Sequence, residues 1–245
     1  RVTARTPSAR RFASIKLTSD SSSLSDEPAI GPALPLLSLT ATRMGGRFIT
    51  IEGGEGAGKS TAQAFIASKL EQQGYSVVCT REPGGTPLAE AIRHTLLSLE
   101  GEAPVDMAEL LLVFAARAQH LARVIEPALA KGQWVICDRF TDATFAHQGA
   151  ARGLSYEAIS KLESLVQGSR RPDAVVLMDL SPEVGMARAR ARGELDRFEQ
   201  EDRAFYDRVR VGYLSRAETH TAQYNIVDAS QPLVDVQQDL IHLIE

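Results

Sequence analysis

Gly53-Gly-Glu-Gly-Ala-Gly-Lys-Ser60 matches the pattern G-x-x-x-x-G-K-[ST]. An apolar, β-branched run, Phe48-Ile-Thr-Ile51, leads into it, and residues 60–73 after it are predicted to be helical, ending at Gly74. The pattern needs this strand–loop–helix order, because loop N–H groups and the helix N-terminus converge on phosphate oxygens. The sequence therefore predicts a nucleoside triphosphate site in an α/β protein.

The residue types of this loop fit the phosphates of a triphosphate. Glycines permit close approach and unusual φ values, Lys59 supplies a mobile ammonium, and the Ser60 hydroxyl can bind Mg²⁺. Glu55 must point away from the triphosphate, since like charges repel. The predicted ATP-binding residues are Gly53, Gly54, Glu55, Gly56, Ala57, Gly58, Lys59, Ser60 and Thr61.

Short apolar runs alternate with helical stretches along the rest of the chain. The runs cover residues 48–51, 75–79, 134–137, 174–178 and 224–227. The predicted helices cover residues 60–73, 87–99, 106–131, 155–166, 182–192, 206–221 and 232–244, with Pro127 kinking or breaking the third. Continuously apolar strands suit a sheet covered on both faces. We predict a five-stranded parallel sheet with helices on both faces and ligands beyond its carboxyl end.

Composition narrows the possible partners. The 245 residues are 44% hydrophobic and 24% charged, which is typical of a globular domain. A net charge of −4 gives no electrostatic reason to expect nucleic acid or an anionic membrane. Cys79 and Cys137 form no CxxC pair, so we interpret both as buried and reduced and expect a cytoplasmic protein.

Residues 1–43 differ in composition from the remainder. They are rich in Ser and Thr and carry a net charge of +3, which predicts a disordered extension. The segment has some features of an organellar transit peptide. A translation start at Met44, just before the first strand, is the interpretation we favour. Residues 44–245 are then a single domain that contains the phosphate loop.

Charged residues are expected where the predicted strands end. Guanidinium groups such as those of Arg81, Arg93 and Arg139 bind a phosphate in a bidentate way, although Arg81 has an alternative as an ion pair with Glu82 or Asp138. Asp138 ends a buried strand, where a carboxylate needs a cation. Mg²⁺ or a neighbouring arginine would satisfy it, and a purely structural ion pair or helix cap is the alternative.

Four further segments, together with the loop, resemble thymidylate kinases from residue 47 to the C-terminus. The resemblance implies a P-loop nucleoside monophosphate kinase fold, ATP-dependent phosphorylation of dTMP to dTDP in dTTP biosynthesis, Mg²⁺, and a homodimer. The segments are Thr80-Arg-Glu-Pro-Gly-Gly-Thr86, Phe114-Ala-Ala-Arg117, Asp138-Arg-Phe140 with Ala146-His-Gln-Gly149, and Arg188-Ala-Arg-Ala-Arg-Gly-Glu-Leu-Asp-Arg197.

The resemblance also implies roles for single residues. Arg93 and Arg139 hold the acceptor phosphate, Glu55 reaches the deoxyribose 3′-hydroxyl, and Arg117 donates to thymine. An arginine suits thymine O4, which is an acceptor, and would repel the cytosine N4 donor. The implied dTMP-binding residues are Glu55, Pro83, Arg93, Phe114, Arg117, Arg139, Thr144 and Gln148. The implied catalytic residues are Lys59, Asp138, Arg139 and Arg192, with Ser60 and Asp138 at the metal.

The Arg-rich segment of residues 186–200 is either a solvated helix or a lid over ATP. One branch of the family has its catalytic arginine in the phosphate loop, at the position of Gly56. This chain therefore resembles the bacterial branch, in which a lid arginine at the position of Arg192 stabilises charge on the transferred phosphoryl group.

Two positions depart from the family pattern. Val113 stands where the family usually has a base-stacking Phe. Phe114 comes one residue later, and one helical step is about 100°, so it reaches the base only after a shift of the helix. His147 stands where a Tyr often blocks a ribose 2′-hydroxyl, so the rejection of ribonucleotides is less strongly implied.

Two other functions fit part of the pattern. A kinase for another monophosphate or for a deoxynucleoside would share the loop and the fold. A P-loop ATPase acting as a switch would hydrolyse ATP without an acceptor, and Arg93, Arg117 and Arg139 would then have no role.

Overall fold

Five parallel strands form one sheet in the order β2-β3-β1-β4-β5. The computed structural model describes residues 45–193 and 196–244, so the predicted extension of residues 1–43 lies outside the described part. The strands are β1 Phe48–Gly53, β2 Val77–Arg81, β3 Trp134–Asp138, β4 Ala174–Asp179 and β5 Tyr224–Asp228. The predicted five-stranded parallel sheet is confirmed.

Helices connect the strands and close the chain. Two segments have π-helical hydrogen bonding, Leu121–Ile125 and Phe145–Ala151. The α-helices are α1 Lys59–Gln72, α2 Pro87–Leu97, α3 Asp106–His120, α4 Glu126–Ala130, α5 Thr141–Thr144, α6 Tyr156–Gln167, α7 Pro182–Arg192, α8 Arg203–Thr219 and α9 Leu233–Ile244. None of the helices within residues 45–193 and 196–244 is long and apolar enough to cross a membrane.

Apolar side chains cover both faces of the sheet. On one face, Ile51 of β1 packs with Ile66 of α1 and Leu240 of α9. On the other face, Leu177 of β4 packs with Tyr213 of α8 and its neighbours. Both faces are therefore buried by helices, as the continuously apolar strands predict.

The register brings the polar strand ends to one level. Asp138 pairs with Ile51 of β1 on one side and with Arg81 of β2 on the other. The chain reverses direction just after these residues, and the loop following Gly53 lies at the same edge. The carboxyl edge of the sheet thus collects the loop, Asp138 and Arg139.

The predicted helix of residues 106–131 is three elements. Regular α-helix ends at His120, a π-helical turn follows, and Pro127 occupies the first turn of α4. The junctions between the three elements keep right-handed helical dihedrals, so the chain stays helical through Pro127. The hydrogen-bonding pattern changes instead, in a π-helical segment that begins six residues before the proline.

Residues 141–151 are helical and lie outside every helix predicted from the sequence. The π-helical segment packs against α8, where a Cβ atom at Gly212 would lie 2.9 Å from Ala146 Cα. Gly212 therefore permits a close approach that side-chain periodicity does not reveal.

The prediction that both cysteines are buried is wrong for Cys79. Cys137 is buried in the central strand β3, whereas Cys79 is exposed. Cys79 lies on β2, which is an edge strand of the sheet, and this edge is only partly covered. The strand also begins two residues later than predicted, at Val77.

Candidate active site

The loop between β1 and α1 has the backbone of a phosphate cradle. Gly53, Gly56 and Gly58 have φ values of 139°, 69° and 82°, which L side chains rarely adopt. A Cβ atom at Gly56 would also collide with the carbonyl oxygen of Gly185 on α7. The predicted ATP-binding residues are therefore continuous in the chain: Gly53 to Gly58 form the turn, and Lys59 to Thr61 begin α1, whose first N–H groups have no partner within the helix.

Lys59 lies over this loop. Its Nζ donates to the carbonyl oxygen of Gly54 at 2.8 Å. Burial, together with the charge of the nearby Arg139, lowers the pKa of Lys59 to about 8, and Glu55 and Asp138 partly oppose this shift. The ammonium is thus held where it can transfer from a backbone carbonyl to a phosphate oxygen.

Ser60 and Asp138 face each other across the loop. The Ser60 hydroxyl donates to Asp138 Oδ2 at 3.2 Å, and Asp138 Oδ1 is buried with no hydrogen-bond partner in the described part of the chain. A buried carboxylate oxygen without a partner is costly, so this pair fits a divalent cation. No group of three metal-ligating side chains occurs among residues 45–193 and 196–244. Mg²⁺ is usually held by one or two side chains together with waters and phosphate oxygens, and Ser60 and Asp138 could supply such a pair.

Arg139 has an unusual backbone conformation. Its φ is 68°, in the left-handed region that non-glycine residues seldom occupy, and its N–H donates to the carbonyl oxygen of Ile51 at 2.9 Å. The guanidinium donates to the Gly53 carbonyl at 3.0 Å, the Tyr213 hydroxyl at 3.1 Å and Glu55 Oε2 at 3.2 Å. Arg139 therefore lies against the phosphate loop.

Glu55 links the loop to α7. One of its oxygens accepts from Arg139, and the other accepts from Arg192 Nη2 at 2.6 Å. Arg192 also donates to Glu199 at 2.8 Å. Burial would raise the pKa of Glu55, but the charges of Lys59 and Arg139 hold it well below its usual value. Glu55 is thus an ionised carboxylate between two arginines.

A second cleft of about 710 Å³ lies beside the loop. It shares Glu55, Arg93 and Arg139 with the cleft that contains Lys59, Ser60 and Asp138. The wall of this cleft also includes four other residues of the implied dTMP-binding set, which are Pro83, Arg117, Thr144 and Gln148. Two sites therefore meet at Arg139.

Arg117 is the most constrained residue of this cleft. Its side chain is 1% exposed, and its Nε donates to Glu82 at 2.7 Å. Its Nη2 donates to the Phe140 carbonyl at 3.1 Å and to Thr144 Oγ1 at 3.0 Å. Nη1 is buried without a partner in the described part of the chain. An unpaired buried donor costs about 1–3 kcal/mol, which a ligand acceptor would offset.

Phe114 lies behind Arg117 and not on the wall of the cleft. The Arg117 guanidinium is 4.8 Å from the centre of the Phe114 ring and 5.0 Å from that of Phe140. Val113 lines the cleft instead. The geometry therefore supports a packing role for Phe114 against Arg117. It does not support stacking of Phe114 on the base, which agrees with the helical step of about 100° between positions 113 and 114.

Glu82 was not singled out from the sequence. Its carboxylate accepts from Arg117 and contacts His120 Nδ1 at 2.9 Å, and His120 Nε2 lies 2.7 Å from Thr80 Oγ1. Arg81 does not pair with Glu82 or Asp138, because its guanidinium donates to the exposed Glu90 at 2.9 Å. The alternative of an intramolecular ion pair for Arg81, for which Glu82 and Asp138 were examples, therefore has Glu90 as the partner.

Arg93 and His147 complete the cleft. Arg93 donates to the Pro83 carbonyl at 3.2 Å. Burial lowers the pKa of Arg93, and the charges of Arg81 and Arg139 act in the same direction. His147 Nδ1 contacts the Ala143 carbonyl at 2.9 Å, and burial lowers its pKa to about 3, so its imidazole is neutral at pH 7.

A third cleft adjoins the loop. It is lined by Gly58, Thr61 and the segment around Ala229 and Gln231. Arg188 also lines it and donates to the Ala229 carbonyl at 2.9 Å. This cleft extends from the loop to the segment that follows β5.

Glu52 is a second residue that sequence reasoning missed. It is fully buried at the end of β1, its Oε1 accepts from the Phe140 N–H at 2.7 Å, and its Oε2 has no hydrogen-bond partner within the described residues. Burial, with the charge of Asp142, raises the pKa of Glu52 to about 8. The bond to Phe140 fixes the peptide that follows the left-handed Arg139.

The Glu52→Gln variant is expected to be more stable than the native chain, by a margin that grows as pH rises from about 5 to about 8. The carboxyl ionises near pH 4.5 when exposed and near pH 8 when folded. In that window the unfolded chain has released a proton that the folded chain retains, so native stability falls. We expect the difference in unfolding free energy to grow by about 3–4 kcal/mol over this window, measured by urea unfolding at several pH values.

Thr50→Val is the matched control, since Thr50 is also fully buried on β1 two residues earlier, on the same face. Its stability difference from the native chain should not depend on pH in this window. A flat Glu52→Gln difference between pH 5 and 8 would show that Glu52 is already ionised in the folded protein.

The phosphate loop, the cation pair and the arginine-lined cleft define a P-loop kinase that has a nucleotide acceptor site. A family model for thymidylate kinase matches residues 51–240. The chain belongs to the thymidylate kinase family, whose members are phosphotransferases with ATP as the donor.

Individual relatives agree with the family match. The chain is 60% identical over 201 residues to a thymidylate kinase of Pseudomonas savastanoi pv. phaseolicola, covering 82% of this chain and 96% of that protein. It is 59% identical over 203 residues to a thymidylate kinase of Teredinibacter turnerae, covering 82% and 98%. A crystal structure of thymidylate kinase from Ehrlichia chaffeensis aligns with a TM-score of 0.67 at 31% identity, covering 82% and 99%.

Proposed function

We propose that the protein transfers the γ-phosphoryl group of ATP to dTMP, giving ADP and dTDP. The observation that carries the proposal is Arg117, which lines a cleft that reaches the phosphate loop through Arg139, and whose buried Nη1 has no hydrogen-bond partner within the described residues. A donor at that point suits thymine O4. Arg93 and Arg139 lie between the base side and the loop, where the acceptor phosphate belongs.

In this mechanism the protein positions two phosphorylated molecules end to end. The loop of residues 53–61 holds the triphosphate, and Lys59 exchanges the Gly54 carbonyl for phosphate oxygens. Mg²⁺, held by Ser60 and Asp138 together with the phosphates, would neutralise charge on the triphosphate. Arg93 and Arg139 hold the acceptor phosphate in line with the γ-phosphoryl group, so catalysis comes from position and charge without a covalent intermediate.

Glu55 and Arg192 complete the proposed site. Glu55 would accept a hydrogen bond from the 3′-hydroxyl of the acceptor, and its side chain already lies on the shared wall of both clefts. Arg192, on the proposed lid of residues 186–200, would stabilise charge on the transferred group. We also propose that the enzyme is a homodimer, as the family resemblance implies, and that it works in the cytoplasm.

A coupled assay of ADP release across a panel of acceptors tests the proposed function. With ATP and Mg²⁺, we expect dTMP to give the highest kcat/KM, dUMP less, and dCMP, purine monophosphates and free thymidine very little. A preference for dCMP or for a nucleoside would overturn the assignment of Arg117. ADP release at the same rate without any acceptor would indicate an ATPase.

Lys59→Ala is expected to lower kcat roughly 100-fold and to weaken ATP binding, because the loop loses its only side-chain cation. Steady-state assays and ATP titration measure the two effects. Lys69→Ala is the control, since Lys69 lies on the last turn of the same helix and packs over Phe65. A Lys59→Ala variant that turns over at the native rate would contradict the role of the loop.

A further inference from the structure

A buried carboxylate on α3 contacts the base side of the cleft and has no part in the mechanism above. Glu109 is 0% exposed. Its Oε1 accepts from Gln148 Nε2 at 2.9 Å and from Arg152 Nε at 3.3 Å. Its Oε2 accepts from Arg197 Nη2 at 2.6 Å and from Arg152 Nη2 at 3.4 Å. Both oxygens are therefore occupied by donors.

The two arginines keep Glu109 an acceptor. Arg197 is fixed independently, because its Nε donates to the Leu96 carbonyl at 2.7 Å. Arg152 also pairs with Glu201 at 2.6 Å. An ionised carboxylate accepts hydrogen bonds and donates none, so only the NH₂ group of Gln148 can face it. The amide oxygen of Gln148 is then the atom left for a ligand in the cleft.

The direction of this amide matters for a pyrimidine base. Thymine and uracil carry a proton on N3 and an acceptor at O4, whereas cytosine has an acceptor at N3 and a donor at N4. An amide oxygen pairs with the N3 proton of thymine and faces the lone pair of cytosine N3. A reversed amide would do the opposite, but it would place its oxygen against the Glu109 carboxylate.

We propose that Glu109 is a positioning residue for base selection. It fixes the amide of Gln148 so that the cleft accepts a pyrimidine with a protonated N3. Arg117 Nη1 would donate to O4 independently of Gln148. Thr144, which accepts from Arg117 Nη2, lies four residues before Gln148. The inference rests on the proposed function, because it assumes that a pyrimidine monophosphate occupies this cleft.

Glu109→Gln tests the proposal, because the glutamine amide introduced at position 109 can present either its oxygen or its NH₂ group. The amide of Gln148 is then no longer held in one orientation. We expect the ratio of kcat/KM for dTMP over dCMP to fall about tenfold, the value of one hydrogen bond. The ratio for dTMP over dUMP should not change, since these two bases present the same N3 and O4 groups. A change in dUMP discrimination of equal size, or no change in either ratio, would overturn the proposal.

Glu163→Gln is the matched control. Glu163 is a buried glutamate, 7% exposed and paired with Arg171 at 2.9 Å, on α6 away from the cleft. It should alter neither ratio. Should Glu109→Gln fail to fold, Glu109→Asp keeps the charge and withdraws it by one methylene group, and the same two ratios are measured.

A double-mutant cycle separates positioning from general loosening. Gln148→Leu should itself reduce the dTMP preference over dCMP, and adding Glu109→Gln should reduce it no further. A further loss of similar size in the double variant would mean that Glu109 acts apart from Gln148. If the native protein phosphorylates dTMP while Glu109→Gln leaves the dCMP ratio unchanged, only this inference fails. If the native protein has no activity with dTMP, the proposed function fails with it.

Discussion

Arg192→Ala is expected to lower kcat about 1000-fold while the affinity for dTMP changes less than about threefold. Arg192 is mostly exposed and bridges Glu55 and Glu199 at the mouth of the triphosphate cleft. Gly56 supplies no charge at the loop position where one branch of the family has its catalytic arginine. In the proposed mechanism, Arg192 acts on charge that develops during transfer, and not on the bound base. Coupled turnover assays and dTMP titration by calorimetry measure the two quantities.

Arg190→Ala provides the comparison for Arg192, because Arg190 is an exposed arginine two residues earlier on α7. Its removal should change kcat less than about threefold. Glu55 remains ionised in the Arg192→Ala variant, since Lys59 and Arg139 still lie next to it. A kcat within about tenfold of native for Arg192→Ala would remove this residue from the phosphoryl transfer step.

Arg117→Leu is expected to lower the free energy of unfolding by about 3–5 kcal/mol and to abolish dTMP turnover. Removing the guanidinium leaves Glu82 buried, 3% exposed, without its strongest partner. A buried charge deprived of its counter-ion is destabilising by that amount. Urea unfolding gives the stability, and the ADP-release assay gives the turnover.

The double variant Arg117→Leu, Glu82→Gln distinguishes stability from recognition. Replacing both members of a buried pair is far less costly than removing one, so most of the lost stability should return. Turnover of dTMP should stay lost, because no donor remains for thymine O4. A double variant that recovers both would mean that Arg117 serves the fold alone.

Much of the fold could be predicted because its signals are local. The loop sequence requires a strand before it and a helix after it. The segments of β3 and β4 are short, continuously apolar runs, a pattern typical of buried strands. The apolar run from Tyr75 predicts a strand that begins there, whereas β2 begins at Val77, and the Tyr75 ring packs on that of Trp134 with centroids 4.9 Å apart. Free cysteine usually packs as a small apolar residue, which predicts a buried Cys79, but its strand lies at an edge of the sheet.

The parts of the site that sequence reasoning missed depend on contacts between distant elements. Glu52 follows an apolar run as an ordinary strand end would, and only the Phe140 N–H, 88 residues later, makes its burial understandable. Glu82 becomes important through Arg117 and His120, which come from α3. The helical segment 145–151 needs Gly212 of α8. None of these distances is encoded in the spacing of residues along the chain.

The carboxylate that Glu55 places between Arg139 and Arg192 has a consequence for the free enzyme. Several guanidinium groups and an ammonium group lie close together in this site. Without a neighbouring negative charge, they would attract any anion in solution. The Glu55 carboxylate offsets part of this positive charge, so chloride or sulfate binds the site less favourably. A substrate must replace that carboxylate with more oxygens than a simple ion offers, which favours polyphosphates over the ordinary salts of the cell.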